Sequence, residues 1–186
     1  MQNIHTQNEG AFTGEVSAAM AKEVGVKYVL IGHSERRATG ETDEICAKKL
    51  EQALSERLIP ILCIGEKTRD LKGVYIHEIE SQIKNACSAI SASDIQKVIF
   101  AYEPVWAIGK NASGVATPEV VKEVSILVQR TLSDMYMEPV KVKILYGGSV
   151  NEKNARDFLV GGGMDGVLVG RVSLDPKACT LLINSI

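Results

Sequence analysis

Cysteine is scarce in this 186-residue chain: there are four, at Cys46, Cys63, Cys87 and Cys179. No two stand at Cys-x-x-Cys spacing and no histidine sits beside them at ligand spacing, so neither a metal site nor a disulfide framework is expected. They read as reduced thiols used as small core residues in a cytoplasmic protein. An excess of charge is also missing. Lys and Arg total 21 against 23 Asp and Glu, no basic cluster occurs, and nucleic acid is not an expected partner. No apolar run approaches the ~20 residues that span a bilayer. The polar opening MQNIHTQNEGAFTG has no signal-peptide core, so no membrane partner is expected. No linker or low-complexity segment divides the chain, and residues 1–186 read as one domain.

What is present is an ordinary globular composition, 45% hydrophobic and 24% charged, enough to bury a core. Short apolar runs recur: Lys27–Ile31, Pro60–Ile64, Val98–Tyr102, Val142–Tyr146 and Gly166–Val169. Each is apolar at nearly every position, the pattern of a parallel strand buried on both faces. Helical patterns fill the gaps. Residues 74–90 place Ile76, Ile79, Ile83, Ala86, Cys87 and Ile90 on one face, and residues 118–132 do the same with Val120, Val121, Val124, Leu127, Val128 and Leu132. Thr117-Pro118-Glu119 and Asp175-Pro176 read as helix starts. Further helices end at Gly25, cover the Cys46–Leu54 region and run over Asn154–Val160 before three glycines. Strand–helix alternation of this kind means an α/β fold with a parallel sheet. Five strands fit a doubly wound sheet by count, whereas an eight-stranded barrel needs about 250 residues.

Every strand ends in residues suited to a site. His33-Ser34-Glu35-Arg36-Arg37 follows the first run, Glu103 the third, Gly147-Gly148-Ser149 the fourth and Gly170-Arg171 the fifth. Ligands of parallel α/β folds lie at the carboxyl ends of the strands. Glycines there let backbone N–H groups approach an anion, so a phosphate-bearing ligand is expected. Gly-Gly-Ser alone is weak evidence, since as a bare tripeptide it more often marks a tight turn.

The strings YVLIGHSERR, CIGE, AYEPVWAIG, YGGSVN and DGVLVG, in that order, with GAFTGEVS ahead of them, give the chain a resemblance to the triosephosphate isomerase family from Gln2 to the C-terminus. The resemblance implies an incomplete TIM-type (β/α) barrel of about five parallel strands with helices outside. The first three strand–helix units would be absent, and Gln2-Asn3 resembles the end of the third strand. It implies a cofactor-free, metal-free interconversion of dihydroxyacetone phosphate and glyceraldehyde 3-phosphate through an enediolate, with Glu103 as catalytic base and a neutral His33 as electrophile. Val105–Ala116 resembles a lid hinged at Val105-Trp106 and carrying Ile108 and Gly109. Gly109, Ser149, Gly170 and Arg171 would present groups to the phosphate, and Tyr146 and Ser149 would latch the lid. Ser34 and Glu35 would support the site.

The chain departs from the family pattern in three places. The lid tip, Lys-Asn-Ala-Ser-Gly-Val, is about two residues longer. Gly170-Arg171 replaces a pair of glycines. No residue matches the Asn-x-Lys motif of the family's first strand, whose lysine resembles the natural partner of Glu35; Arg171 or Lys110 would have to substitute. An open five-strand arc would leave Ile31, Cys63 and Phe100 poorly covered, and self-association as a homodimer or larger homo-oligomer would cover the edges, aided by the loop Thr6–Gly14. A second reading, from another class, is a non-catalytic phosphate-binding or assembly relic of the same family.

Overall fold

The computed structural model describes residues 1–109, 112 and 114–186. Lys110, and with it part of the lid tip, lies outside the described residues. Five parallel strands form one sheet in the order β1 (Tyr28–Ile31), β2 (Ile59–Ile64), β3 (Ile99–Tyr102), β4 (Lys143–Tyr146) and β5 (Gly166–Val167). Strictly sequential order separates this sheet from a doubly wound one, where strand order reverses at a switch point. It is an open arc of TIM-type architecture. Each strand lies within a residue or two of its apolar run in the sequence.

The helices start where side chains can satisfy the orphan N–H groups of a first turn. Ser17 caps α1 (Ala18–Glu23), His33 caps the short α2 (Ser34–Ala38) and Thr42 caps α3 (Asp43–Ser55). The next helix, α4 (Val74–Cys87), begins at Gly73 and draws its acceptors from Asp70, whose carboxylate takes the N–H groups of Lys72, Val74 and Tyr75. A further short turn, α5 (Ala92–Ile95), precedes β3. Thr117 caps α6 (Pro118–Tyr136), with Pro118 in its first turn. Then come α7 (Ala155–Val160) and α8 (Pro176–Asn184), the latter capped by Asp175.

Register divides the sheet into two faces, because side chains alternate along a strand and paired residues share a side. The rows Ile31–Leu62–Phe100–Ile144 and Ile64–Tyr102–Tyr146–Val167 face the helices. All but Val167 are fully buried against Leu50, Ile79, Ile83, Val124, Val128 and their neighbours. The opposite rows are Leu30–Ile61–Ile99–Lys143 and Cys63–Ala101–Leu145–Gly166. There Leu30, Ile61, Ile99 and Leu145 are only half-buried. Burying such a side chain fully is worth about 1.5–3 kcal/mol, so this face holds unspent stability.

Two expectations are corrected here. Ile31, Cys63 and Phe100 are not poorly covered: they are 1%, 1% and 0% exposed. Ile31 and Phe100 point to the helices, and Cys63 lies deep beside the strand ends. The exposure of the arc falls instead on Leu30, Ile61, Ile99 and Leu145 and on α8, where Leu181 and Ile183 are 57% and 61% exposed. Nor is the β1 edge bare. Met1 runs beside it, its amino group donating to the Tyr28 carbonyl at 2.7 Å and its carbonyl accepting from the Leu30 N–H at 3.0 Å.

Candidate active site

The Glu103 carboxylate rises from the end of β3 and is 3% exposed. Alternation along β3 puts it on the face of Ile99 and Ala101, toward the open side of the arc. Its Oε2 accepts the Ser34 N–H at 2.9 Å, and its Oε1 lies 3.1 Å from His33 Nε2. Gly147, at the end of β4, borders its Cγ. Burial raises the Glu103 pKa, and His33, the Ser34 backbone and hydroxyl, and the more distant Arg37 only partly offset that.

His33 is held in one tautomer. Its Nδ1 accepts the Glu35 N–H at 3.3 Å, so in the neutral ring the proton resides on Nε2 and points to Glu103. The ring presents an N–H edge to the carboxylate pocket and is about a third exposed. The Glu35 carboxylate is exposed and has no ion-pair partner among the described residues.

Preceding His33, the Gly32 peptide is gripped from both sides. Its N–H donates to Glu41 Oε1 at 2.7 Å, and its carbonyl accepts from Arg37 Nε at 2.8 Å. Gly32 has φ +72° and a Cβ there would lie 2.9 Å from Cys46 Sγ, so only glycine fits. Glu41 is itself 6% exposed and is neutralised by Lys49, 3% exposed, whose Nζ lies 2.5 Å from Oε2. Burial opposes the Glu41 charge, but Lys49, the Gly32 N–H and Arg36 outweigh it and hold its pKa below the ordinary 4.5.

Behind Glu103, the fully buried Glu66 after β2 accepts from Tyr102 Oη at 2.9 Å and Trp106 Nε1 at 2.7 Å. Its carbonyl takes the Val105 N–H at 3.1 Å. The short helical turn Val105–Ala107 is thereby fastened to β2 immediately after Glu103-Pro104.

The phosphate and latch candidates lie at the same ends of the strands but are not joined to this cluster. Gly109 (φ +76°) and Ser149 are exposed. Ile108 is extended and half-buried. The Tyr146 ring is buried, 4.0 Å from the Phe158 ring, with its hydroxyl over Gly148 rather than on the described lid residues. Gly170 precedes the turn Arg171–Leu174, its carbonyl accepting from Ser173. Arg171 avoids the left-handed region, and its guanidinium is solvent-facing, with no ion pair among the described residues. No group of three or more His, Cys, Asp or Glu among the described residues is placed to hold a metal. No described helix is long and apolar enough to cross a membrane.

Sequence reasoning assigned no role to Glu41, Lys49, Glu66 or Arg37. Lys49 stands next to Leu50 and three residues from Cys46 on the buried face of α3, and that position within an apolar stripe was the available signal. Glu66 is the carboxylate that ends CIGE.

A family model described as triosephosphate isomerase matches residues 1–186. Proteins named triosephosphate isomerase are similar over nearly the whole chain. That of Dictyoglomus turgidum is 43% identical over 99% of this chain and 75% of its own length. That of Aquifex aeolicus is 43% identical over 99% and 74%, and that of Clostridium botulinum 41% identical over 98% and 75%.

The buried Glu41–Lys49 pair gives a pH test. Because the folded pKa of Glu41 lies below 4.5, its contribution to stability is complete above that pH and drains away as pH falls through the folded value. Glu41→Gln is expected to lose roughly 3–5 kcal/mol at pH 7, since Lys49 is left buried and unpaired. It is also expected to show a shallower decline in stability below pH 4.5. Urea denaturation of both proteins between pH 3 and pH 7 checks this, and parallel curves would contradict it.

Proposed function

The chain belongs to the triosephosphate isomerase family, and we propose that, as one domain over residues 1–186, it interconverts dihydroxyacetone phosphate and glyceraldehyde 3-phosphate with Glu103 and His33 as its working groups. The observation that carries this reading is the 3.1 Å contact between His33 Nε2 and a carboxylate that is 3% exposed. Glu103 takes the proton from the carbon beside the substrate carbonyl and returns it to the neighbouring carbon. The carbon-bound proton is carried, not consumed, and the hydroxyl proton passes from one substrate oxygen to the other within the site, so the two placements of these protons are the two triose phosphates. Desolvation makes the carboxylate a stronger base than it would be in water. His33 gives its Nε2–H to the substrate oxygen that gains charge as the enediolate forms. That N–H is occupied by Glu103 in the resting state, and entry of substrate frees it when the carboxylate turns from the Ser34 N–H toward carbon.

Backbone N–H groups at Gly109, Ser149, Gly170 and Arg171 receive the phosphate, and the lid, with Trp106 at its hinge and Ile108 beyond, closes over it to be latched at Tyr146. The closed lid excludes water from the enediolate. No ion-pairing lysine or arginine stands at Glu35 or Glu103 among the described residues, so His33 carries most of the electrostatic work. Removing one such donor from a developing oxyanion costs about 3–4 kcal/mol, and activity below that of a site with an added cation follows.

We further propose that the chain works as a homo-oligomer. The half-buried Leu30, Ile61, Ile99 and Leu145 and the exposed apolar face of α8 support this, as does the loop Thr6–Gly14, exposed from Glu9 to Gly14. Unpaired cysteines, Cys46, Cys63 and Cys87 among them buried, suit the reducing cytoplasm.

The direct test is an isomerase assay on the purified chain beside Glu103→Gln made in the same host. Turnover should fall by roughly 10²–10⁴-fold in the variant. The acid limb of kcat/KM in the parent should lie above the ordinary glutamate value of 4.5, since the base works only once ionised. Equal turnover in parent and variant would remove Glu103 from the mechanism; binding of glycerol 3-phosphate without turnover in the parent would favour the non-catalytic relic. Sedimentation velocity should show two or more chains per particle, and Leu145→Asp should shift the particle toward one chain. A monomeric parent at micromolar concentration would refute the oligomer.

A further inference from the structure

We propose that Gln82, on α4 and outside the catalytic cluster, is a positioning residue for the base: it grips the Gly65 peptide that supports the Glu103 backbone. The proposal rests on the reading of Glu103 as base. Gln82 is 8% exposed and lies within the apolar stripe of α4, one position before Ile83 and three after Ile79. Its amide closes a two-bond ring with one peptide group. Gly65 N–H donates to Gln82 Oε1 at 2.9 Å, and Gln82 Nε2 donates to the Gly65 carbonyl at 3.0 Å.

Gly65 follows the last residue of β2, where the strand ladder stops. Its neighbour on the other side is Glu103 itself. A Cβ on Gly65 would lie 1.9 Å from the Glu103 carbonyl oxygen and 2.6 Å from its carbonyl carbon. The two backbones are thus in contact with no side chain between them, and the Glu103 N–H is tied to the Ile64 carbonyl at 2.7 Å. A shift of the Gly65 peptide has no slack to absorb it and reaches Glu103. A buried amide costs free energy unless both of its ends are bonded; an apolar side chain would fill this stripe without that cost. Here both bonds go to the one peptide that touches the base.

The test compares three proteins by kcat, KM and pH profile. Gln82→Met keeps the volume and removes both bonds. Gln82→Glu keeps the acceptor, and in its protonated form also restores a donor, since the acid O–H can donate to the Gly65 carbonyl while the acid carbonyl accepts the Gly65 N–H. Arg37, Glu41, Asp43, Glu44, Lys67 and Glu78 line the cavity of about 490 Å³ shared with Gln82. They are common to all three proteins, so the ratio of variant to parent isolates position 82. Gln82→Met is expected to lower kcat by roughly 10- to 100-fold, the scale of a small misplacement of a reacting group, with KM nearly unchanged. Gln82→Glu is expected to be similarly impaired at pH 8 and to approach the parent as pH falls, although Glu103 alone makes activity fall in that direction. A kcat for Gln82→Met within twofold of the parent, or a Gln82→Glu to parent ratio independent of pH, overturns the proposal. If Gln82→Met fails to fold, the Gln82→Glu ratio decides. If parent turnover survives Glu103→Gln, or none is seen, the reading of Glu103 fails separately. The Glu103 carboxyl titration by ¹³C NMR then decides for Gln82: a midpoint moved in Gln82→Met, which adds no charge, upholds the grip, and an unmoved one refutes it.

Discussion

A carboxylate that is 3% exposed must find donors or surrender its charge. Glu103 finds them on two residues, Ser34 and His33, and most of the surrounding construction keeps them in reach. Both donors stand on the turn after β1, which is anchored through Gly32. That peptide is held by Glu41 and Arg37, and Glu41 remains charged in the interior chiefly because Lys49 is buried beside it, with the Gly32 N–H and Arg36 adding to the effect. One buried charge at the site is thus supported by a buried ion pair, Glu41–Lys49, beneath the turn.

The same logic applies on the opposite flank. Glu103 sits between β2 and β4, and the residues that follow β2 hold it from behind: Gly65 against its backbone, and Glu66 on Tyr102 and Trp106. Strand ends bear the proposed reacting groups, and the proposed lid begins two residues beyond Glu103. This division suits a reaction that needs one fixed donor, one carboxylate with a short swing, and a cover that opens and closes. The sheet pays unevenly for it. Apart from Val167, the helix-facing rows are packed to completion, while Leu30, Ile61, Ile99 and Leu145 on the site's own face retain solvent contact.

The sequence displayed the strands and the polar residues at their ends, because a parallel strand writes itself as an uninterrupted apolar run. It displayed Glu103 and His33 through the strings that contain them. It did not display strand order, which periodicity cannot encode, so composition and spacing left a doubly wound sheet open. It also misjudged Ile31 and Phe100, since an apolar run does not say which face the helices cover; register does. Gln82 and Lys49 escaped notice for a related reason. Each is a polar residue inside an apolar helical stripe, and its partner, a peptide group or a carboxylate, is distant in sequence. Neither partner has a pattern of its own.

The central claim is that the fold delivers His33 to Glu103 with its proton on Nε2 before any substrate arrives. Nitrogen NMR of ¹⁵N-histidine-labelled protein, ligand-free at a pH where the ring is neutral, with His33 assigned by His33→Gln, tests it most directly. The account predicts a protonated Nε2 and an unprotonated, hydrogen-bond-accepting Nδ1. A proton on Nδ1 would contradict the account, because the Glu35 N–H would then face a donor and Glu103 would lose its own.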